Sequence, residues 1–368
     1  MTWTGFSCKC ISHANSTSLA YKKSALQRGA SVGHESSSRN TFFAAIDIAK
    51  KLAPVFVFLE NTDAIADLDK HMSSNLDAVV SEFHGIGYAM SAFRLNTKDY
   101  AIPQDRLRVF FVGFRVAYFP GLTDWQTVFD QIKENLIRFK RAPPAFEAAV
   151  LEVSNVHVKL ELKRRQEREQ ETLMLEVEAS HKRGKVDWPE VHRKYVQSHG
   201  VRWSTLKVSD STAQSPWYPF LGQREAECLA FIQHQHGHDV SGDVSQQIFR
   251  IPVVRTDPRN NVQVCPTLLT SSVFWIGSGQ NRIAIGRDLL GLQGYPWAKV
   301  PQPQQALDEA GDSFQVTLAG NAFTSCVAFA VMLSALLAAP LEAEDDFVLA
   351  EALEWARRCS IGCASSSE

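Results

Sequence analysis

Two cysteines, Cys8 and Cys10, stand one residue apart in the stretch SCKCISHAN. A thiolate is a strong nucleophile, and covalent attack splits one hard chemical step into easier ones. Further along, Glu60 closes the apolar run VFVFLEN and offers a carboxylic acid. Arg106 and Arg108, in PQDRLR, offer guanidinium groups that hold oxygen atoms in fixed geometry. Singly, each has an ordinary reading. Cys8 can be an inert buried thiol, Glu60 a cap for the helix after it, and the arginines surface charges. His234, His236 and His238 in HQHGHD, with Cys228 nearby, invite a metal reading. Spacing of two along a loop is not a zinc pattern, and no Cys-x-x-Cys accompanies it, so no metal is expected.

The whole chain constrains where such chemistry would work. At 368 residues it can hold two domains, or one large domain with insertions, around a sizeable core. A hydrophobic fraction of 45% and a charged fraction of 21% are those of an ordinary globular protein. With a net charge of −2, any nucleic-acid partner must be held by a local patch rather than by the field of the molecule. Seven cysteines, odd in number and unevenly spread, argue against a disulfide scaffold. No basic stretch followed by an apolar one opens the chain, so an intracellular protein of nucleus or cytoplasm is expected. The uncharged run 321–341 has acidic rather than basic residues after it and ends at Pro340, which predicts a buried core helix and no membrane partner.

Elements must position these residues. Residues 13–40, rich in Ser, Gly and Asn, predict a long loop of the lid type. TFFAAIDIAKKL (41–52) has helical spacing, and 55–61 is a short, fully apolar strand of the parallel-sheet kind. Residues 63–87 predict a helix ending at glycine; YAMSAFRLN and RVFFVGFR predict two further strands. The alternation indicates an α/β fold with a parallel-type sheet. After about residue 116 the texture changes. LELKRRQEREQETLMLEVEA (160–179) predicts a mixed-charge helix solvated on one face. HKRGKVDWPEVHRKYVQSHGVRW (181–203) interleaves basic residues with Trp188, Tyr195 and Trp203, as phosphate and base contacts would require, or as a plain exposed helix would show. From 265 the chain is compact and apolar again, and it closes with a short helix and a frayed tail.

In their joint order these motifs resemble the DNA (cytosine-5) methyltransferase family. Ser7-Cys8-Lys9-Cys10-Ile11-Ser12-His13-Ala14-Asn15 is similar to its nucleophile motif Pro-Cys-Gln-x-Phe-Ser-x-x-Asn/Gly. Ser37-Ser38-Arg39-Asn40-Thr41-Phe42-Phe43 resembles Asp-Ser-Arg-Gly-Thr-Leu-Phe, and Glu60-Asn61-Thr62 resembles Glu-Asn-Val. Asn96, followed by Tyr100-Ala101-Ile102-Pro103-Gln104-Asp105-Arg106-Leu107-Arg108, is close to Asn…Tyr-Gly-x-Pro-Gln-x-Arg-x-Arg. Arg287 with Leu292-Gln293-Gly294-Tyr295-Pro296 resembles Arg-Glu…Leu-Gln-Gly-Phe-Pro, and Gly320-Asn321-Ala322 resembles the last Gly-Asn-Ala.

The resemblance implies an incomplete Rossmann-like methyltransferase sheet with an inserted target recognition domain: a core over 1–115, target recognition over 116–264, a return to the core over 265–340 and a tail over 341–368. It implies methyl transfer from S-adenosyl-L-methionine to carbon 5 of cytosine in DNA, with the base flipped out of the duplex. Cys8 would add to carbon 6, Glu60 would relieve the charge at N3, Arg108 would hold the base oxygen, and Arg106 would brace the nucleophile. Ser12, Asn61 and Gln104 would contact the substrate, and Ser7 and Asn321 would line the cofactor pocket. Cys10 falls on a variable position of the motif and carries no expected role. The family's Phe-x-Gly-x-Gly cofactor loop has no counterpart here, so an N-terminally truncated chain, inactive or fragmentary as written, is expected. Two other readings stand beside this one: a non-catalytic nucleic-acid-binding remnant, and a relative that methylates tRNA.

Overall fold

The computed structural model describes residues 2–5, 37–68, 74–175, 188–277, 279–295, 305–307 and 309–340. Ser7, Cys8, Cys10, Ser12, residues 13–36 of the loop expected over 13–40, and the tail from 341 lie outside them; residues 37–40 of that loop are helical instead. The described chain forms two compact units. The first comprises Met1–Tyr100, Leu107–Arg141 and Cys326–Glu368; the second comprises Ala101–Arg106 and Ala142–Ser325. The boundaries suggested by sequence texture, at 116 and 265, therefore differ from these. Residues 116–141 belong to the first unit, and 265–325 to the second.

The first unit is built on a four-stranded sheet of β1 (Thr2–Gly5), β2 (Phe56–Thr62), β5 (Leu107–Arg115) and β3 (Tyr88–Asn96), in that order across the sheet. β1 and β2 run parallel, but β5 is antiparallel to both of its neighbours. The sheet is thus mixed rather than of the all-parallel type expected. The cause is the connection: residues 97–106 between β3 and β5 contain no crossover helix, and so short a link returns the chain in the opposite direction.

Both sheet faces are covered, which explains why β2 and β5 read as continuous apolar runs. On one face, α1 (Ser37–Leu52) places Phe42, Ala45, Ile46 and Ala49 at helical spacing. Phe42, Ile46 and Ala49 join Val57, Leu59, Val109 and Phe111. The sequence predicted this helix from 41; it begins at Ser37. α2 (Asn75–His84) closes the same face through Val79 and Phe83. Residues 63–87 are not one helix. A 3-10 turn over Asp63–Ala66 is followed by a fresh start at Ser74. Its hydroxyl accepts from the Asp77 N–H at 3.2 Å, while the Asp77 carboxylate accepts from the Ser74 N–H at 2.8 Å. That reciprocal cap begins a new helix whatever precedes it.

On the opposite face, α3 (Trp125–Arg138) contributes Val128, Phe129, Ile132 and Leu136, packed with Phe56, Phe58, Phe110, Val112 and Phe114. The apolar run 321–341 forms the expected core helix over Ser325–Ala338, and its first residue, Asn321, ends the helix before it. In the order of the chain, α4 (Val156–Leu175), α5 (Trp188–Ser198), α6 (Asp210–Ala213), α7 (Gln223–His236) and α8 (Gly286–Gly291) come first, and then α9 (Asp312–Asn321) and α10 (Ser325–Ala338). α10 places Val327, Ala330, Val331 and Ala335 in the core of the first unit. Among the described residues, 312–338 is long and apolar enough to cross a membrane by length and composition, and 50% of its most apolar window is buried in the structure.

The second unit holds two three-stranded sheets. Their strands are β6 (Gly242–Asp243), β9 (Phe274–Ile276) and β10 (Arg282–Ile283) in one, and β4 (Gln104–Asp105), β7 (Arg255–Asp257) and β8 (Val262–Pro266) in the other. α4 is solvated on one face and turns the other inward. Its Glu161 is buried and receives Arg165 at 3.0 Å and Arg168 at 2.9 Å, and Arg165 also reaches Asp312 at 2.8 Å.

The firmest polar anchor of this unit is Arg282 with Asp288, 2.7 Å apart and both fully buried. Arg282 also donates to the carbonyls of Leu151 and Ile283, and Asp288 accepts from the N–H groups of Leu151 (2.7 Å) and Ile285 (2.8 Å). One ion pair therefore ties residue 151 to the 282–288 turn. A buried pair is costly to break because the surviving charge is left without compensation. Replacing Arg282 by Met should lower stability by about 3–5 kcal/mol, read as a drop in the urea midpoint. A midpoint unchanged within error would contradict this role.

Candidate active site

In the first unit the register of the sheet decides which side chains meet. β2 and β5 pair with Glu60 opposite Phe110 and Thr62 opposite Arg108. Residues two apart on a strand share a face, so Glu60 and Arg108 are diagonal neighbours, within reach of a long side chain. Arg108 Nε lies 3.2 Å from Glu60 Oε1, and the pair is 16% and 13% exposed. The guanidinium is further fixed by donating from Nη1 to the Leu107 carbonyl at 2.8 Å. Asn61 points to the other face, is buried, and its side-chain oxygen accepts from the Thr62 N–H at 2.8 Å. On the other side of β2, Gly5 is the register partner of Glu60. A carboxyl group and a guanidinium are thus held side by side near the end of a strand, both largely buried.

The second unit gathers another set. Gln104 is fully buried in register with Cys265. Arg106 is buried too, and among its described partners are the carbonyls of Leu268 at 3.4 Å and Ala322 at 3.0 Å. The same turn is gripped by the Leu-Gln-Gly-Tyr segment. The side-chain oxygen of Gln293 accepts from the Thr324 hydroxyl at 3.0 Å, and its backbone carbonyl accepts from the Ser325 N–H at 3.0 Å. Tyr295 donates to the Phe323 carbonyl at 3.3 Å. These bonds hold residues 322–324 between α9 and α10, where Ala322 is extended.

Two positions in this unit show what the motifs need from their backbone. A Cβ on Gly320 would lie 2.3 Å from the Thr270 nitrogen and 2.4 Å from the Leu269 carbonyl carbon. The glycine therefore lets α9 touch the neighbouring chain. Ala101 has a φ of 60°, a left-handed conformation that costs a residue with a Cβ about 1–2 kcal/mol.

Of the residues that the sequence nominated, Glu60 and Arg108 are in contact, with Asn61 next to them on the opposite face. Gln104, Arg106 and Asn321 lie in the second unit, with Asn321 exposed at the last turn of α9. Ser7, Cys8 and Ser12 lie outside the described residues. One exposed amide is not a site for a nucleoside joined to an amino acid, so the described residues do not by themselves fit the expected cofactor. Sequence reasoning missed the ion pair of Arg282 with Asp288 and the grip of Gln293. Asp288 was legible, since it follows Arg287 where the family motif has Arg-Glu.

His234 and His236 stand on the exposed last turn of α7, and among the described residues no group of three or more His, Cys, Asp or Glu could hold a metal ion. Burial pushes the Cys228 thiol up to about 12 and the Cys265 thiol well above its ordinary value. Neither offers a thiolate near neutrality.

The profile of the C-5 cytosine-specific DNA methylase family matches residues 23–327. The chain belongs to that family. The matched span contains Glu60, Asn61, Gln104, Arg106, Arg108 and Asn321, and begins after Ser7, Cys8 and Ser12. Among curated relatives, the type II methyltransferase M.MthTI of Methanothermobacter thermautotrophicus is 37% identical over 87 residues, which is 24% of this chain and 26% of the relative. M.HhaI of Haemophilus parahaemolyticus is 33% identical over 87 residues, with the same 24% and 26% coverage. The aligned part thus spans about a quarter of the length of these relatives. Among solved structures, the S. pombe Dnmt2 methyltransferase has a TM-score of 0.38 at 13% identity, covering 82% of this chain and 72% of that one. The Entamoeba histolytica methyltransferase EhMeth has a TM-score of 0.40 at 10% identity, covering 91% and 76%.

Two substitutions test the backbone account. Ala101→Gly should raise stability by about 1 kcal/mol by relieving the left-handed alanine. Gly320→Ala should lower it by about 1–3 kcal/mol as the neighbouring backbone is forced away. Thermal melts of both variants check the opposite signs.

Proposed function

We propose that this member of the family acts on cytosine in DNA through Cys8, Glu60 and Arg108, as the base-activating machinery of a cytosine-5 methyltransferase. The observation that carries the reading is the register of β2. Glu60 pairs with Gly5 on one side and contacts Arg108 across the other. Cys8 follows Gly5 by three residues, so the covalent chain keeps its Cα within about 11 Å of that of Gly5.

In this reading the Cys8 thiolate forms a bond to carbon 6 of the ring and the C5=C6 double bond opens. The electron pair moves to carbon 5, while the Glu60 carboxyl group gives its proton to N3. Arg108 holds the base oxygen beside N3 through its guanidinium. Once carbon 5 has bonded to an electrophile, loss of its original hydrogen as a proton, return of the N3 proton to Glu60 and departure of the thiolate restore the double bond. S-adenosyl-L-methionine, the donor of methyltransferases of this kind, would supply that electrophile as a methyl group. Ser12, Asn61 and Gln104 are assigned to the substrate and Ser7 and Asn321 to the donor, by their places in the motifs. Arg106 is a positioning residue that fixes backbone. Residues 116–264 are assigned to recognition of the target, and the protein is read as intracellular because DNA is its substrate.

The addition step can be followed without the donor. Carbon 5, once activated, takes a proton from solvent, and elimination then releases the original hydrogen. The full chain should exchange tritium from DNA containing 5-tritiated cytosine. Cys8→Ala should abolish this exchange, and Glu60→Gln should slow it by about 10²–10⁴-fold. Equal exchange from matched RNA would extend the substrate to RNA. Absence of exchange from both by the folded chain would overturn the reading in favour of a non-catalytic nucleic-acid-binding protein.

A further inference from the structure

The second unit contains an open groove of about 580 Å³ whose residues take no part in the chemistry above. Its floor is apolar, formed by Ile232, Ile248 and Val253. Beside the floor sit Tyr195, Phe231 and Phe249, with the Tyr195 ring edge-on to Phe231 at 5.6 Å and tilted against Phe249 at 6.0 Å. The turn Ile248–Arg250 explains why one ring is left out. Ile248 is 2% exposed and anchors the turn in the core, which directs Phe249 outward to 44% exposure.

The guanidinium of Arg250 lies 5.9 Å from the Phe249 ring, and Arg255 lies on the same groove. Both arginines are exposed, and neither pairs with a carboxylate among the described residues. A single carboxylate, Asp105, lines the groove with Thr267.

An exposed phenylalanine alone is ordinary. A half-exposed ring beside a second aromatic ring and two exposed arginines, over an apolar floor, is the combination that receives a nucleobase on its flat face and the adjoining phosphates on cations. Tyr195 comes from the basic and aromatic segment 181–203 that the sequence singled out. Its ring, rather than those of Trp188 or Trp203, lines the groove.

We propose that this groove binds an unstacked nucleotide of a single-stranded nucleic acid, with the base against Phe249 and Tyr195 and the phosphates on Arg250 and Arg255. Asp105 would accept an exocyclic amino group. The proposal rests on the reading above only in taking nucleic acid as the ligand class, and it adds a second contact separate from the reacting cytosine.

The test is fluorescence anisotropy of the full chain with a labelled single-stranded oligodeoxynucleotide of about 12 nucleotides and with the same sequence as a blunt duplex. Phe249→Ala should weaken single-strand binding by about 5- to 150-fold and affect the duplex far less. Replacing Arg250 and Arg255 together by Gln should flatten the slope of log affinity against log salt by about 1.4 for the single strand. Should Phe249→Ala fail to fold by circular dichroism, the exposed arginine pair carries the test alone. Unchanged affinity and slope, an equal loss on the duplex, or equal competition by an acidic peptide would overturn the proposal. Cytosine exchange with no effect of the groove variants defeats this inference alone. Groove-dependent binding without exchange defeats the catalytic reading alone.

Discussion

The position of β5 between β2 and β3 is the constraint on which the first unit depends. A sheet in which the strands merely alternated with helices would have sent β5 parallel to β2 and aligned different residues. The short return from β3 instead makes β5 antiparallel, with Arg108 opposite Thr62. Because side chains alternate with a period of two, a slip of one residue would carry Arg108 to the other face and into the Phe111 side of the core. The contact between Glu60 and Arg108 is therefore a consequence of strand order. The apolar burial of Phe110, Val112 and Phe114 on one face and Val109 and Phe111 on the other holds that order in place.

Polar groups play the corresponding role in the second unit. Its sheets are short, two to five residues per strand, and such strands cannot define a unique packing by ladder hydrogen bonds alone. Arg282 and Asp288 supply long-range ties, joining residue 151 to the 282–288 turn. Arg106 joins residues 268 and 322 in the same way. The groove edged by Phe249 is the converse case: there, two exposed arginines pair with no carboxylate among the described residues, and one aromatic ring stays 44% exposed. A protein of net charge −2 cannot attract a polyanion by its global field, so a local patch of this kind is where such attraction must arise.

Much of this was legible in the residues. The apolar run 55–61 became β2, YAMSAFRLN and RVFFVGFR became β3 and β5, and the spacing of 41–52 became most of α1. These elements bury wide apolar faces, so periodicity reports them directly. The failures came where side-chain hydrogen bonds overrode local preference. Ser74 and Asp77 started a helix in the middle of an expected one. Gln293, Tyr295 and Arg106 hold the chain at 322–324, so the helix of the apolar run 321–341 starts only at Ser325. The partners in the second case are separated by about thirty residues or more, and periodicity, which sees only neighbours, is blind to them.

By itself, the sequence determined the chemical repertoire, a thiol, a carboxyl and guanidiniums in a family order, and the apolar stretches that must be buried. Those follow from residue type and local spacing. The tertiary structure alone decided the direction of β5, hence that Glu60 meets Arg108 and that Arg106 and Asp288 serve backbone carbonyls and N–H groups. Direction and register depend on how distant strands share one buried surface, a collective choice that no single segment encodes.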